Sequence, residues 1–316
     1  MGHKVGHARP DIKDNVRGLI GLRPGPLAVL AFLPVSAQAT PKATLARPSE
    51  LAGVVVEHRK VAPDAGILRI RTDAPAPAFV PGQFLQVRLW ERDDPLLGRP
   101  FSILDQGSDA DGTWLSLLYQ VMGRGTRLMA SAREGDPLLA VGPLGRPFSP
   151  PTRPGVALVV AGGVGIPPFL LLVRQLVADG REVTVLLGAR DTPHLYLREE
   201  LEAAGARVRL STEDGSLGFH GRVTAILEEE LDAVGPEQVG AIYTCGPEGM
   251  LEAVVTIAKA RGVPGQASLE RSMACGYGVC FTCVCRLKRG DGSFHNTRTC
   301  LDGPVVDMDR LPDSDW

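Results

Sequence analysis

From Leu51 to Phe148 the apolar residues come in short runs broken by turn residues: VVVEH (54–58), ILRIRT (67–72), FLQVRLW (84–90), WLSLLYQV (114–121) and PLLAVG (137–142). Within 84–90, Leu85, Val87 and Leu89 alternate with Gln86, Arg88 and Trp90. Period two predicts strands with one face buried and the other open to solvent or ligand. A small antiparallel β-barrel is the natural closure for such a set. The stretch RPFSPPTRPG (146–155) then places four prolines in ten residues, the composition of a boundary.

Beyond it the pattern changes. VALVV (156–160), EVTVLLG (182–188), RVRLS (207–211) and AIYTC (241–245) are near-continuous apolar runs, separated by helical stretches such as FLLLVRQLVADG and VTAILEEELDAV. Strands buried on both faces and alternating with helices predict a parallel sheet covered on both sides. From Pro264 onward helix signals are few, and about fifty residues are too small a core to stand without a metal or a neighbour. The expected architecture is multi-domain: an antiparallel β-barrel over 51–150, an α/β parallel-sheet nucleotide-binding domain over 151–263, and a small C-terminal segment over 264–316. Residues 1–50 read as an extension. Within them LAVLAFLPVSAQA (27–39) follows basic residues and ends in an A-x-A pattern, the outline of a secretory leader.

Charge narrows the partners. The 316 residues carry a formal net charge of −2, which leaves no excess to attract nucleic acid. No apolar run reaches the roughly eighteen residues a membrane helix needs. The six histidines (3, 7, 58, 194, 220, 295) show no metal-ligand spacing and read as surface or turn residues. No nucleophile triad or carboxylate pair stands in a recognisable context, so no residue is assigned to acid–base or nucleophilic catalysis.

The cysteines carry the strongest signal. ACGYGVCFTCVC (274–285) spaces Cys275, Cys280 and Cys283 as C-x4-C-x2-C, and Cys300 follows in TRTCLDGP. This is the plant-type 2Fe–2S spacing, with three thiolates on one tight loop and a fourth from elsewhere. Gly276 and Gly278 suit a loop that wraps backbone N–H groups around sulfide. Zinc knuckles usually pair two C-x2-C units or add histidines, and only one such unit exists here. A disulfide framework fits poorly with Cys245 far away at a strand end. Cys285 reads as a buried structural thiol facing away from Cys283. Thiols kept for a cluster point to a reducing, cytoplasmic compartment.

Such a cluster moves single electrons and needs a donor and an acceptor. GRPFSI (98–103) offers an arginine for pyrophosphate and a serine for an isoalloxazine edge. LYQVMGRGT (118–126) adds a strand edge and a glycine turn that opens a helix. AGGVGIPP lies between a buried strand and a helix, where Gly162, Gly163 and Gly165 suit a dinucleotide phosphate, although Pro168 replaces the third glycine of the G-x-G-x-x-G pattern. CGPEGM brings Cys245, Gly246 and Pro247 to the carboxyl end of another strand, the place for a nicotinamide. Plain turn geometry, and a packed core thiol at Cys245, would explain each piece taken singly.

In order, RPFS, GRGT, GPLG, AGGVGIPP, CGPEGM, MACGYGVCFTCVC and CLDGP make the chain resemble the ferredoxin reductase superfamily over residues 52–312. More narrowly it resembles the electron transfer subunits of dihydroorotate dehydrogenase B. The resemblance implies an FAD barrel, an NAD domain and a 2Fe–2S domain. It also implies a partner, the FMN-bearing catalytic subunit of dihydroorotate dehydrogenase, in a heterotetramer of two copies of each, serving de novo pyrimidine (UMP) synthesis. By motif, Arg99, Pro100, Phe101 and Ser102, with Leu118, Tyr119, Gln120, Gly125 and Thr126, would hold FAD, and Cys275, Cys280, Cys283 and Cys300 the cluster. Tyr277 and Phe281 on the ligand loop would help meet the partner. Gln120 departs from the family, where arginine is frequent, and the long N-terminal extension is foreign to it. A reductase serving a hydrogenase or a ferredoxin-dependent transhydrogenase, and a redox sensor whose cluster reports rather than relays, remain alternatives.

Overall fold

The computed structural model describes residues 46–73, 75–89 and 95–313, without the side chain of Leu89; the leader-like stretch 27–39 lies outside them. The first strands are β1 (Ser49–Ala62), β2 (Ala65–Thr72), β3 (Phe84–Leu89), β4 (Arg99–Ser102), β5 (Asp105–Asp109) and β6 (Gly112–Gln120). A short helix α1 (Arg124–Ala130) and strand β7 (Pro137–Leu144) follow. All seven strands pair antiparallel in the order β4-β3-β7-β1-β2-β6-β5. The two outermost strands are consecutive in the chain. Between them Ile103 donates its N–H to the Gln83 carbonyl and Leu104 to the Ser116 carbonyl, so the sheet curls around one core. That core holds Val55, Leu68, Leu85, Val87, Leu115 and Leu117.

Beyond the proline-rich stretch come β8 (Val156–Gly162), α2 (Pro167–Ala178), β9 (Val183–Ala189), α3 (Arg198–Ala203), β10 (Arg207–Thr212), β11 (Phe219–His220), α4 (Val223–Val234), β12 (Val239–Cys245), α5 (Glu248–Ala260) and β13 (Gly265–Ser268). A hairpin of β14 (Val284–Lys288) and β15 (Phe294–Arg298), a one-turn helix α6 (Thr299–Asp302) and β16 (Val305–Asp307) complete the chain. The second sheet runs β11-β10-β9-β8-β12-β13-β16, with every neighbouring pair parallel except β13 and β16. Two of its strands thus come from beyond Pro264. Alternate residues of β8 serve opposite faces: Val159 and Ala161 pack with Phe169 and Val173 of α2, while Leu158 and Val160 pack with Ile226 of α4 and Val254 of α5. This two-sided burial is why β8 and β12 read as unbroken apolar runs. Pro167 and Pro168 occupy the first turn of α2, where a missing N–H leaves no helical bond unmade. Sheet order reverses between β8 and β12, so their carboxyl ends open a crevice.

The curled sheet and the second sheet are joined by an Arg174–Asp105 ion pair of 2.6 Å and by Phe148 stacked on Phe169. Among its described residues the C-terminal segment builds no hydrophobic cluster of its own. Cys285 and Leu287 bury into the face carrying α4 and α5, whereas Cys283 and Cys300 bury against Phe84 and Leu144 of the curled sheet. The open face expected for β3 is therefore closed, since Phe84 and Gln86 are buried there under the cysteine loop. No helix among the described residues is long and apolar enough to cross a membrane.

Candidate functional site

Two cavities open at the carboxyl ends of β8 and β12. The first, about 440 Å³, is lined by Arg99, Pro100, Phe101 and Ser102 of β4 and by Leu118, Tyr119 and Gln120 of β6, together with Thr126 and Cys245. Nine expected site residues, distant in the chain, thus meet in one space. Thr126 Oγ1 accepts the N–H groups of Met122 and Gly123, which fixes the turn into α1. Arg99 donates to the carbonyls of Leu97 and Gly98 and has no carboxylate partner among the described residues, so its charge is available to a phosphate. Gly125 does not line this cavity; a Cβ there would lie 3.1 Å from Arg99 Nε, so the glycine gives the guanidinium its room. An adjacent arginine, a fixed glycine turn and two strand edges fit a flavin dinucleotide.

The second cavity, about 480 Å³, is lined by Gly162, Gly163 and Pro247 with Gly188, Arg190, His194, Tyr196, Ser211, Glu213, Arg222 and Thr224. Gly165 and Gly246 are not in its wall. A Cβ on Gly165 would sit 2.5 Å from the Cys245 carbonyl oxygen, and one on Gly246 would sit 3.0 Å from the Gly162 nitrogen. These two glycines let the turns after β8 and β12 touch, a packing role rather than a lining one. The hydroxyls of Tyr196 and Ser211 are buried in this wall without a hydrogen-bond partner among the described residues. Unpaired buried hydroxyls cost stability in an empty site and gain partners from a polar ligand such as a dinucleotide.

Gln120, Val164 and Glu270 line both cavities, so the wall between them is thin. Gln120 is committed to a network: its Nε2 donates to Asp64 at 3.0 Å, and Asp64 accepts from His194 Nε2 at 2.8 Å, while His194 Nδ1 binds Asp191. Burial opposes ionisation of Asp64, but the hydrogen bonds from Gln120 and His194 outweigh it and hold its carboxyl below the usual range. His194 is therefore a turn residue, as one of the two expected readings had it, but a buried one rather than a surface one. Glu270 is open to solvent at the rim shared by the two cavities, yet the protein crowded around it desolvates the carboxyl and holds it above the ordinary value. Burial, then the neighbouring Glu270 at 3.9 Å, likewise pushes up the Cys245 thiol. Glu270, Arg190, Ser211 and Arg222 escaped the sequence reading. Their one available signal was position, each lying just past or at the end of a strand or just before a helix.

The cysteine loop packs beside the first cavity, where Met273 is part of the wall. Gly276 and Gly278 take φ of 81° and 88°, and Phe281 takes 61°, a left-handed conformation uncommon for a bulky residue. The Arg298 guanidinium lies 4.8 Å from the Phe281 ring and donates to the Gly278 carbonyl, clamping that turn. Val279 N–H points at Cys275 Sγ at 3.3 Å. Hydrogen bonds from Thr282 first, then from the backbone and Cys275, lower the exposed Cys280 thiol to about 6. Burial, then the adjacent Cys283 thiol, pushes Cys300 up to about 12. The four thiols are close enough to affect one another: Cys275 acts on Cys280, and both Cys283 and Cys275 act on Cys300. No three ligand-type side chains among the described residues converge on a single point, as a mononuclear site would require. A 2Fe–2S group asks for two thiolates on each iron, a demand that four neighbouring thiols on one loop and α6 can meet.

Comparison with known proteins agrees with this geometry. The sequence profile of the iron–sulfur cluster binding domain of dihydroorotate dehydrogenase B matches residues 270–312, and that of the oxidoreductase NAD-binding domain matches 159–256. The dihydroorotate dehydrogenase B (NAD+) electron transfer subunit of Desulforamulus reducens is 39% identical over 235 residues, 74% of this chain and 87% of that protein. The counterpart in Fusobacterium nucleatum is 34% identical, covering 79% and 94%. Among solved structures, an NADH-dependent reduced ferredoxin–NADP oxidoreductase studied for flavin-based electron bifurcation superposes with a TM-score of 0.69 at 27% identity, over 82% of this chain and 89% of that one. The ferredoxin reductase of carbazole 1,9a-dioxygenase shares the fold, with a TM-score of 0.59 at 24% identity over 68% and 67%.

Proposed function

The chain belongs to the family of dihydroorotate dehydrogenase B electron transfer subunits, and on that premise we propose that it carries electrons from an FMN-bearing dihydroorotate dehydrogenase catalytic subunit to NAD+, in de novo pyrimidine (UMP) synthesis. The observation that carries this reading is the adjacency of the three sites: two cavities share a wall of Gln120, Val164 and Glu270, and the four-thiol loop packs beside the first of them.

In this reading residues 51–150 form a barrel for FAD, 151–263 the NAD domain, and 264–316 the cluster segment. When bound, FAD supplies the exchange between single electrons on the cluster side and hydride on the NAD side. Arg99 holds the pyrophosphate, helped by the Gly125–Thr126 turn, while Pro100, Phe101 and Ser102 with Leu118, Tyr119 and Gln120 border the flavin. Gly162, Gly163 and Pro247 border the NAD phosphates and nicotinamide; Gly165 and Gly246 shape the turns behind them, and Cys245 lies in the wall of the flavin cavity. Cys275, Cys280, Cys283 and Cys300 would supply the four thiolates that hold the cluster.

Tyr277, Val279 and Phe281 stand 53%, 71% and 61% exposed on the ligand loop. Large apolar side chains in water beside a cluster suit the face where the catalytic subunit docks. We place the assembly in the cytoplasm as two copies of each subunit. Replacing Cys280 by Ser is expected to reduce dihydroorotate-dependent NAD+ reduction by the complex at least a hundredfold while leaving NADH oxidation by an artificial dye intact. Survival of both activities would show that electrons do not pass by way of the thiol loop.

A further inference from the structure

Gln86 lies in the middle of β3, where it faces Pro100 of β4 and Val141 of β7 in register. It is 6% exposed, and among the described residues neither its Nε2 nor its Oε1 has a hydrogen-bond partner. The carboxamide is wedged between two glycines. A Cβ on Gly276 would lie 2.6 Å from Nε2 and 2.3 Å from Cγ, and a Cβ on Gly98 would lie 3.1 Å from Oε1. Gly276 follows the thiol Cys275, and Gly98 precedes Arg99 of the flavin-facing strand. One side chain therefore touches both the loop that offers thiolates and the strand that borders the first cavity.

Packing alone does not account for a glutamine here. A buried carboxamide left unpaired destabilises the fold, and a leucine or methionine would fill the slot without that cost. Buried polar atoms without partners are rare in folded proteins and call for a partner of another kind. The loop against which this amide presses is the one whose thiols suit an iron–sulfur group, and sulfur in such groups accepts hydrogen bonds that tune the potential.

We propose that Gln86 is a positioning residue for the cluster: its amide N–H donates to sulfur on the Cys275 side, seating the loop on β3 and raising the reduction potential. The inference rests on the cluster reading above. A donor to sulfur favours the reduced group, which carries one more negative charge, so its loss makes reduction harder. Because Gln86 pairs across β3 with Pro100, the same contact ties the loop to the strand that carries Arg99 and Ser102.

The test uses the full chain purified anaerobically with its FAD and iron. In Gln86→Met, which keeps length and removes the donor, iron and FAD content should stay at the parental level. The cluster midpoint, followed by EPR in a redox titration, should fall by the equivalent of a tenfold change in the reduction equilibrium, about 59 mV for one electron. In the unsubstituted chain, exchange into deuterium oxide should remove a side-chain proton coupling from the reduced-cluster spectrum that Gln86→Met lacks from the outset. An unchanged midpoint together with an unchanged coupling would overturn the proposal. Should Gln86→Met lose its iron, the coupling in the parental chain, selectively labelled with 15N-glutamine, decides: a glutamine coupling supports the contact and its absence refutes it. A parental chain without iron and acid-labile sulfide would overturn the cluster reading itself, and this proposal with it.

Discussion

In the second sheet β8, β9 and β12 bury almost every residue, with apolar side chains on both faces and helices α2, α4 and α5 covering them. The hairpin β14–β15 is built on the same chain with far less. It alternates buried and exposed along β14, has no fully buried residue along β15, and borrows its inner contacts from the second sheet, while Cys283 and Cys300 on its flanks bury against Phe84 and Leu144. The sheet holds itself by apolar burial, whereas the hairpin and its loop depend on neighbours and on what their thiols bind. A region of this second kind can place a redox group at a surface, because little of its mass covers the group.

That contrast is open to direct attack. The largest effect is expected from removing iron with a chelator under reducing conditions. Backbone amides of β14, β15 and the ligand loop should lose more than tenfold of their hydrogen-exchange protection, while those of β8, β9 and β12 keep theirs. Equal protection before and after would mean that the hairpin stands by burial alone. Next, Phe169→Ala, which opens a cavity between α2 and β8, should cost about 3–5 kcal/mol in denaturant unfolding of the holoprotein without changing the iron per chain.

Smaller is the effect of Gly165→Ala. Its Cβ would meet the Cys245 carbonyl at 2.5 Å and push apart the turns that form the dinucleotide crevice. Overpacking of this kind costs about 1–3 kcal/mol, and the KM for NADH should rise on the order of tenfold with FAD content preserved. The smallest is Glu270→Gln. Desolvation by the surrounding protein raises the folded carboxyl above its unfolded value, so the stability tied to its neutral form is full in acid and is lost as pH rises through the folded value. The variant should match the parent in acid and exceed it in melting temperature as the pH rises past the folded value. A difference independent of pH would contradict the assignment of desolvation.

Much of this contrast was legible in the chain. VTAILEEELDAV is helix α4 residue for residue, and VALVV lies within β8, because two-sided burial leaves an unmistakable apolar run. The spacing of Cys275, Cys280 and Cys283 marked the ligand loop because three thiolates on one small group permit few spacings. What escaped is tertiary. Strand β4 is four residues of RPFS, none fully buried, and carries no alternation to find. Strand β16 is three residues long, and only its pairing with β13 reveals it as part of the second sheet. The burial of Gln86 depends on a loop nearly two hundred positions away, and that of His194 on Asp64 from the opposite sheet, contacts that no local pattern encodes.

The central claim is that this chain relays electrons from a dihydroorotate-oxidising partner to NAD+. It is tested most directly by purifying the chain anaerobically with whatever flavoprotein accompanies it and assaying dihydroorotate-dependent NAD+ reduction. The account predicts NADH formation that requires both proteins and ceases with Cys280→Ser. A complex rich in FAD and iron that oxidises NADH yet is inert to dihydroorotate would contradict it, leaving a reductase that serves another partner.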